Sequence, residues 1–501
     1  MDRRHFLASS VAAALAASLP IGRLLAAGRG VPVAGDVAAL TGSGAATTLE
    51  RAALQELRDS LRGALLLAGD DGYEQARRVL NESINKHPAL IVQPTGVADI
   101  RNAVTFARER NLLLAVKCGG HSPSGKSTCD GGMQIDLSHF RSARVDPVSR
   151  QAYVAGGSLL GELDHEAMAF DLVTTAGTVS HTGIGGLTLG GGFGRLARRF
   201  GLALDNVQAA DIVTADGRLL HASADENPDL YWGLRGGGGN FGIVTGFEFG
   251  LHPMQRQIIG GDLVFPFERA REILEAYADY SSNVPDEMYA DFFMSLPPGG
   301  KPGACGIEVC YSGPADQAEK LLAPLRKLGT PVADTIKAQE YVTIQQSSDQ
   351  SDPRNVGTYL KSGFISDFKG SMIDALINGF RPDPARATIV FFQHSGGAIG
   401  RVAPDATAFP HRHSKNNMFS VVAWNLDGDA APHVRFIKDY WATLEPFTDG
   451  YYTNEVGDEA QGIVDTNYQG NIGRLRTLKK MYDPGNLFRL NANVLPGASS
   501  G

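Results

Sequence analysis

Between Gly183 and Gly194 the chain reads GIGGLTLGGGFG, seven glycines in twelve positions. A backbone this bare either comes very close to a ligand or takes positive φ repeatedly, since a Cβ would forbid both. Two further clusters repeat the theme, Gly236 to Gly239 in RGGGGNFGIV and the turn Lys117-Cys118-Gly119-Gly120-His121-Ser122-Pro123-Ser124-Gly125. Rows of unhindered N–H groups bind a pyrophosphate without a lysine cluster. The string from Gly190 to Gly194 superficially matches a dinucleotide fingerprint. No acidic residue ends a second strand about 20 residues on, where a Rossmann unit would place one, so that fold is rejected. His121, following two glycines, is held on a rigid turn with little beside it and is suited to meet a ligand face; a structural imidazole is the alternative.

Composition sets the limits around these loops. Hydrophobic residues are 43% and charged residues 20% of 501, which excludes global disorder and a multi-span membrane protein. The net charge of −8 and the lack of a basic run argue against a nucleic-acid partner. Met1-Asp2-Arg3-Arg4-His5-Phe6-Leu7 and the short apolar run behind it look like a twin-arginine export signal, too short to anchor the chain in a bilayer. That implies a periplasmic or secreted protein, and export in the folded state suits a cofactor inserted beforehand. Cys118, Cys129, Cys305 and Cys310 lack zinc-type spacing, so no metal site is expected. Cys305 and Cys310 either pair or pack as small buried hydrophobes.

Along the chain, Leu54, Leu57, Leu61 and Leu65 fall at helical spacing. Strands are expected at Ala89 to Gln93, Leu112 to Lys117, Met133 to Leu137 and Ala152 to Ala155, with helices at Ala98 to Arg110 and Leu159 to Phe170. Asp216-Gly217 marks a hairpin. Beyond Pro253 strands such as Gly261 to Phe265 and Cys305 to Tyr311 alternate with helices at Arg269 to Tyr280 and Asp316 to Leu328. A helix from His433 to Leu444, a strand near Tyr451 to Glu455 and a helix from Ile472 to Met481 close the chain. The expected organisation is α+β, with a signal at 1–34, a helical lead-in at 35–85, a cofactor domain at 86–254, a substrate domain at 255–430 and a returning segment at 431–501.

GGHSPSG, IDLSHF, AGTVSHTGIGGLTLGGGFGRLARRFGLALDNV, NPDLYWGLRGGGGNFGIVT, TYLKSGF, HSGGAIGRVAPDATAFPHR and YDPGNLFRLNANVLP follow one another in the order seen in the berberine bridge enzyme-like FAD-linked oxidases, which this chain resembles from about His87 to Pro496. The resemblance implies the FAD-binding fold shared with vanillyl-alcohol oxidase: two α+β subdomains for FAD and a substrate domain whose antiparallel sheet lies over the flavin. It further implies that His121 carries FAD covalently, with Cys118, Gly119, Gly120, Ser122 and Ser124 around it. Gly177, Thr178, Val179, His181, Thr182, Gly185, Gly186 and Gly190 form the second cofactor loop, and Gly242, Ile243, Val244, Asn491 and Asn493 complete the cradle. Val179 stands where part of the family has a second attachment cysteine, so one covalent link is expected. Thr182 occupies the position that governs oxygen access in the family, and its valine-like shape favours oxygen as acceptor.

Tyr452-Thr453-Asn454 matches the pattern in which the family's sugar and alcohol oxidases place their base; the alternative is a packed aromatic. Phe419, ahead of Trp424, stands where plant members have a Gln or Glu. Pro123 replaces a tyrosine common after GGHS, which weakens a carbohydrate assignment. His394 and Lys361 are candidates for the substrate pocket. The implied function is an oxidase that takes a hydride from a carbon bearing oxygen or nitrogen in a small molecule and forms hydrogen peroxide. A dehydrogenase passing electrons to a quinone or redox partner, and a flavin- or ligand-binding module without turnover, are the alternatives. The oligomeric state is not readable.

Overall fold

The computed structural model describes residues 32–349, 356–455 and 459–497. The twin-arginine motif lies outside them.

A first, mixed sheet runs in the order Ala64–Leu66, Leu90–Gln93, Met133–Asp136, Leu114–Lys117, the last three parallel. LIVQ at 90–93 and MQID at 133–136 are buried along their whole length, as strands covered on both faces must be. Helix Arg51–Ser60 buries Leu54 and Leu57 against this sheet, but Leu61 ends it and Leu65 belongs to a strand. The helical lead-in therefore gives way to extended chain. The break has a cause: the Arg62 and Gly63 amides donate to the Asp99 carboxylate at 2.9 and 3.0 Å instead of continuing the helix.

A second, antiparallel sheet has the order Leu219–Ser223, Val207–Thr214, Gly242–Gly250, Gln151–Ala155, Ala143–Asp146. Gly217, at φ +81°, makes the expected hairpin turn after Asp216. Leu475, Leu478 and Tyr482 of helix Ile472–Tyr482 join its core, so the end of the chain returns to it.

The large sheet is antiparallel, in the order Ala333–Asp334, Gln257–Pro266, Ala304–Tyr311, Met288–Leu296, Arg386–His394, Asn416–Asn425, Val356–Ile365. Its odd and even positions face different worlds. Ile307, Phe292, Val390 and Met418 pack beneath helices Ala270–Ser282, Ala315–Arg326, Gly370–Gly379 and Ala430–Leu444. The alternate residues look away from those helices. Cys305 and Cys310, an odd number of positions apart on one strand, point to opposite faces and are free buried thiols. The mixture of helices with mixed and antiparallel sheets is the α+β architecture expected. Tyr451 to Glu455 is a turn, not a strand. The Tyr451 amide donates to Asn467 Oδ1 at 2.8 Å and that of Tyr452 to Ser362 Oγ at 3.2 Å, so side chains replace a strand partner.

Arg412 locks the loop that follows His394 onto the second-sheet unit. Fully buried, it donates to both Asp205 carboxylate oxygens at 2.8 and 2.9 Å and to Thr407 Oγ1 at 2.7 Å. Breaking a buried pair from one side strands a charge, at a cost of about 3–5 kcal/mol. Arg412→Met and Asp205→Asn should each lower the thermal midpoint sharply, and the double variant should lose less than the sum; differential scanning calorimetry would measure this.

Candidate active site

The strand Leu114–Lys117 ends in Cys118-Gly119-Gly120, and the turn that follows presses against the glycine loop of the second sheet. A Cβ on Gly119 would stand 2.3 Å from the Gly183 nitrogen, so contact at this distance demands glycine. The approach brings His121 to its neighbours: its Nε2 lies 2.6 Å from His181 Nδ1, and its Nδ1 lies 3.3 Å from Thr182 Oγ1.

Beside this junction lies a cavity of about 1050 Å³, bounded by the glycine loops on one side and the large sheet on the other. That is at the upper end for small-molecule and cofactor sites. Cys118, Gly119, Gly120, His121, Ser122, Gly177, Thr178, Val179, Thr182, Gly185, Gly186, Gly242, Ile243, Val244 and Asn491 all line it, as do Tyr452 and Phe419. His181 reaches it through His121. Ser124, Gly190 and Asn493 are not in the lining: Ser124 contacts Ser122, Asn493 accepts a bond from Gln461, and Gly190 makes room for Asn454, whose Oδ1 would lie 2.1 Å from a Cβ.

The two pocket candidates on the large sheet fall on the wrong face. His394 is fully buried on the helix side; its Nε2 contacts the Ser281 carbonyl at 2.9 Å and its Nδ1 accepts the Ala290 amide at 3.2 Å. Burial, reinforced by Arg198, drives its pKa well down, so it is a neutral structural imidazole. Lys361 alternates away from the cavity-lining Leu360 and pairs with Glu459.

Tyr452 brings a phenol to the cavity wall. Its hydroxyl oxygen accepts the Gly192 amide at 2.8 Å and Asn454 Nδ2 at 2.9 Å, and Asn454 is fixed in turn by the Leu187 carbonyl at 3.1 Å. With both acceptor sites filled by protein, the hydroxyl hydrogen is the group left to face the cavity. Burial raises the phenol's pKa and the nearby Glu455 adds to this, while the two N–H donors oppose it. Glu455, itself lining the cavity, is pushed up to about 7 by burial, against the pull of Lys126. Cys118 is pushed up to about 11 by burial and stays a thiol.

Sequence reading missed the cavity's sheet wall: Asp262, Asp291, Glu308, Phe293, Phe391 and Gln393, with Arg195 beneath. The signal was a single charged residue within each otherwise apolar strand, as in MYADFFMSL and ACGIEVCY. Among the described residues no group of His, Cys, Asp and Glu is arranged to hold a metal ion, and no helix is long and apolar enough to cross a membrane.

Residues 88–223 match the model of an FAD binding domain, and residues 451–495 match the berberine and berberine-like model. An FAD-linked oxidoreductase of Dictyostelium discoideum is 32% identical over 88% of this chain and 97% of its own length. The (R)-6-hydroxynicotine oxidase of Paenarthrobacter nicotinovorans is 28% identical over 88% of this chain and 98% of its own. Among solved structures, 6-hydroxy-D-nicotine oxidase from Arthrobacter nicotinovorans superposes with a TM-score of 0.80 at 26% identity, covering 87% of this chain and 99% of that one. BBE-like 1 of Physcomitrella patens does so with a TM-score of 0.78 at 25% identity, covering 88% and 99%. The fold and site define a flavoprotein of the vanillyl-alcohol oxidase type. The chain belongs to the berberine bridge enzyme-like FAD-linked oxidoreductases. It is an enzyme, which sets aside the reading as a module without turnover.

The residues present fit FAD. Gly186 lines the cavity with nothing within 4 Å of where a Cβ would stand, and Gly238, at φ +68°, faces only Asn240 Nδ2 at 3.8 Å. Such bare backbone is what a pyrophosphate requires.

Hydrogen bonds to a charged oxygen are worth about 1.5–3 kcal/mol each. Asn454→Ala removes one that favours the phenolate, so the pKa of Tyr452 rises further. One to two pKa units mean about ten- to a hundredfold less phenolate, so flavin reduction should slow by that order at a fixed pH, measured by anaerobic stopped flow.

Proposed function

We propose that this chain is an exported oxidase, with FAD attached covalently through His121, that oxidises a small alcohol or amine and reduces oxygen to hydrogen peroxide. The observation that carries the reading is the Tyr452 hydroxyl, which lines the cavity and receives two N–H donors. Bound FAD supplies the hydride acceptor and the electron path to oxygen. Tyr452 acts as the base once its own proton has gone to solvent: the Gly192 and Asn454 N–H groups hold the negative charge on its oxygen, and the phenolate takes the proton from the substrate's O–H or N–H as the adjacent carbon loses its hydride. The glycine loops bind the cofactor through backbone amides, and the large sheet covers the reacting face.

Attachment through His121 is supported by its place on the cavity wall and by His181, whose Nδ1 at 2.6 Å is set to orient the ring and share its proton. Val179 at the family's cysteine position supports a single link. Thr182, beside His121, supports oxygen access, and relatives named as oxidases, including a xylooligosaccharide oxidase, share most of the chain. Export rests on Arg3-Arg4 and the apolar run after them.

Denatured enzyme should keep its yellow flavin, and His121→Ala should release it on acid precipitation; flavin in the wild-type supernatant would exclude the link. Tyr452→Phe keeps the ring and should retain flavin content, while slowing anaerobic flavin reduction by about 10²–10⁴-fold. A slowing below about threefold would remove Tyr452 as the base. One peroxide per substrate turned over is expected, and bleaching without peroxide would make the enzyme a dehydrogenase. Replacing Arg3 and Arg4 by lysine should leave flavin-loaded precursor inside the cell, assayed by fractionation.

A further inference from the structure

The register of the large sheet puts Asp262 opposite Glu308 and Glu308 opposite Asp291. Three neighbouring strands thus present carboxylates side by side, and all three line the cavity. Like charges directly opposite each other destabilise a sheet. The cost is visible in the groups themselves. Burial and Glu308 push Asp262 up to about 6, and burial drives Asp291 well up.

Among the described residues, Arg195 is the cation in ion-pair contact with the row, through its Nε to Glu308 Oε1 at 2.6 Å. Its other N–H groups go to the Thr178 carbonyl at 3.1 Å, Gln345 Oε1 at 3.0 Å and Ser348 Oγ at 3.5 Å. Asp291 accepts the Tyr289 hydroxyl and the His394 amide. Asp262 has no such cation, and Lys337, also in the lining, is exposed. Among the described residues, Arg195 answers Glu308 and burial keeps Asp291 protonated, so Asp262 is the carboxylate of the row without a cationic partner.

Two residues along the same strands the character changes. Gly306 stands opposite Phe293, Phe293 opposite Phe391 and Phe391 opposite Phe419. Phe391 and Phe419 stack with ring centroids 4.6 Å apart and planes 7° from parallel. Gly306 leaves the space into which Phe293 leans: a Cβ there would lie 2.7 Å from the Phe293 ring. The wall facing Tyr452 is therefore an aromatic floor bordered by an acidic strip.

We propose that this wall selects a cationic substrate, an aromatic amine whose ring lies on Phe391 and Phe419 and whose positive nitrogen faces Asp262 at the open end of the acidic row. The assignment rests on the reading of this cavity as the substrate site. A cation supplies the charge that the row lacks and gains from the aromatic faces as well. A neutral alcohol leaves the row uncompensated, and a carboxylate meets it head-on.

The test is calorimetric titration of the FAD-loaded enzyme with three probes of similar size: phenyltrimethylammonium, neutral benzamide and anionic benzoate. The cation should bind about tenfold or more tighter than benzamide, with benzoate weakest. Asp262 is half-buried and outside any ion pair, so Asp262→Asn should fold; it should weaken the cation about fivefold or more and leave benzamide unchanged. If that variant does not fold, the wild-type order of the three probes decides. Equal binding of cation and benzamide, tightest binding of benzoate, or no measurable binding of the cation would overturn the proposal. Binding is read without turnover, so an enzyme that forms no peroxide but keeps this order loses the oxidase reading alone. One that oxidises neutral alcohols without cation preference loses the cationic substrate alone.

Discussion

The backbone contact between Gly119 and Gly183 is the constraint on which the site depends. Each would place a Cβ 2.3 Å from the other's nitrogen, so no other residue pair allows the approach. Through it the end of a parallel strand in one sheet is fixed against the glycine loop of another. His121 then meets His181 and Thr182, although 60 residues separate the two histidines in sequence. The cavity is the space left beside this joint, and the spare glycines Gly186 and Gly238 keep its wall free of side chains.

The opposite wall obeys a different rule. The alternation of the large sheet sends one set of side chains beneath four helices, while the other set supplies the cavity wall and, at Ile258, Tyr289 and Cys310, a second buried cluster. The central strands therefore contribute to the helix-side core and to the cavity wall at once, on separate faces. The same alternation explains why His394 and Lys361, adjacent to lining positions, are excluded from the pocket.

Much of the cofactor side was legible in the sequence because it is local: glycine clusters and the histidine after them announce close backbone approach within a dozen residues. Tyr452 was found by its spacing to Asn454, and the hydrogen bond between them is that spacing realised. The expected strand at Tyr451 to Glu455 failed because apolar and aromatic content reads as extended chain, while the amides there are claimed by Asn467 and Ser362, far away in sequence. Leu65 misled for a like reason, Asp99 having taken the amides that would have continued the helix. The acidic row was half legible: each strand shows its lone charge, but Asp262, Asp291 and Glu308 become neighbours through register, which no local pattern encodes.

The turn bearing Tyr452 is tied to all parts at once. Its amide is held by Ser362 of the large sheet, its hydroxyl by Gly192 of the glycine loop, and its companion Asn454 by Leu187 of the same loop. None of these ties involves Phe293, Phe391, Phe419 or the carboxylates. The hydrogen bonds of the turn and the carboxylates of the wall thus lie on separate strands and loops, joined by the packing of Tyr452 with Phe419. A substitution at Asp262, Asp291 or Glu308 therefore reshapes the wall while every one of these hydrogen bonds stays in place.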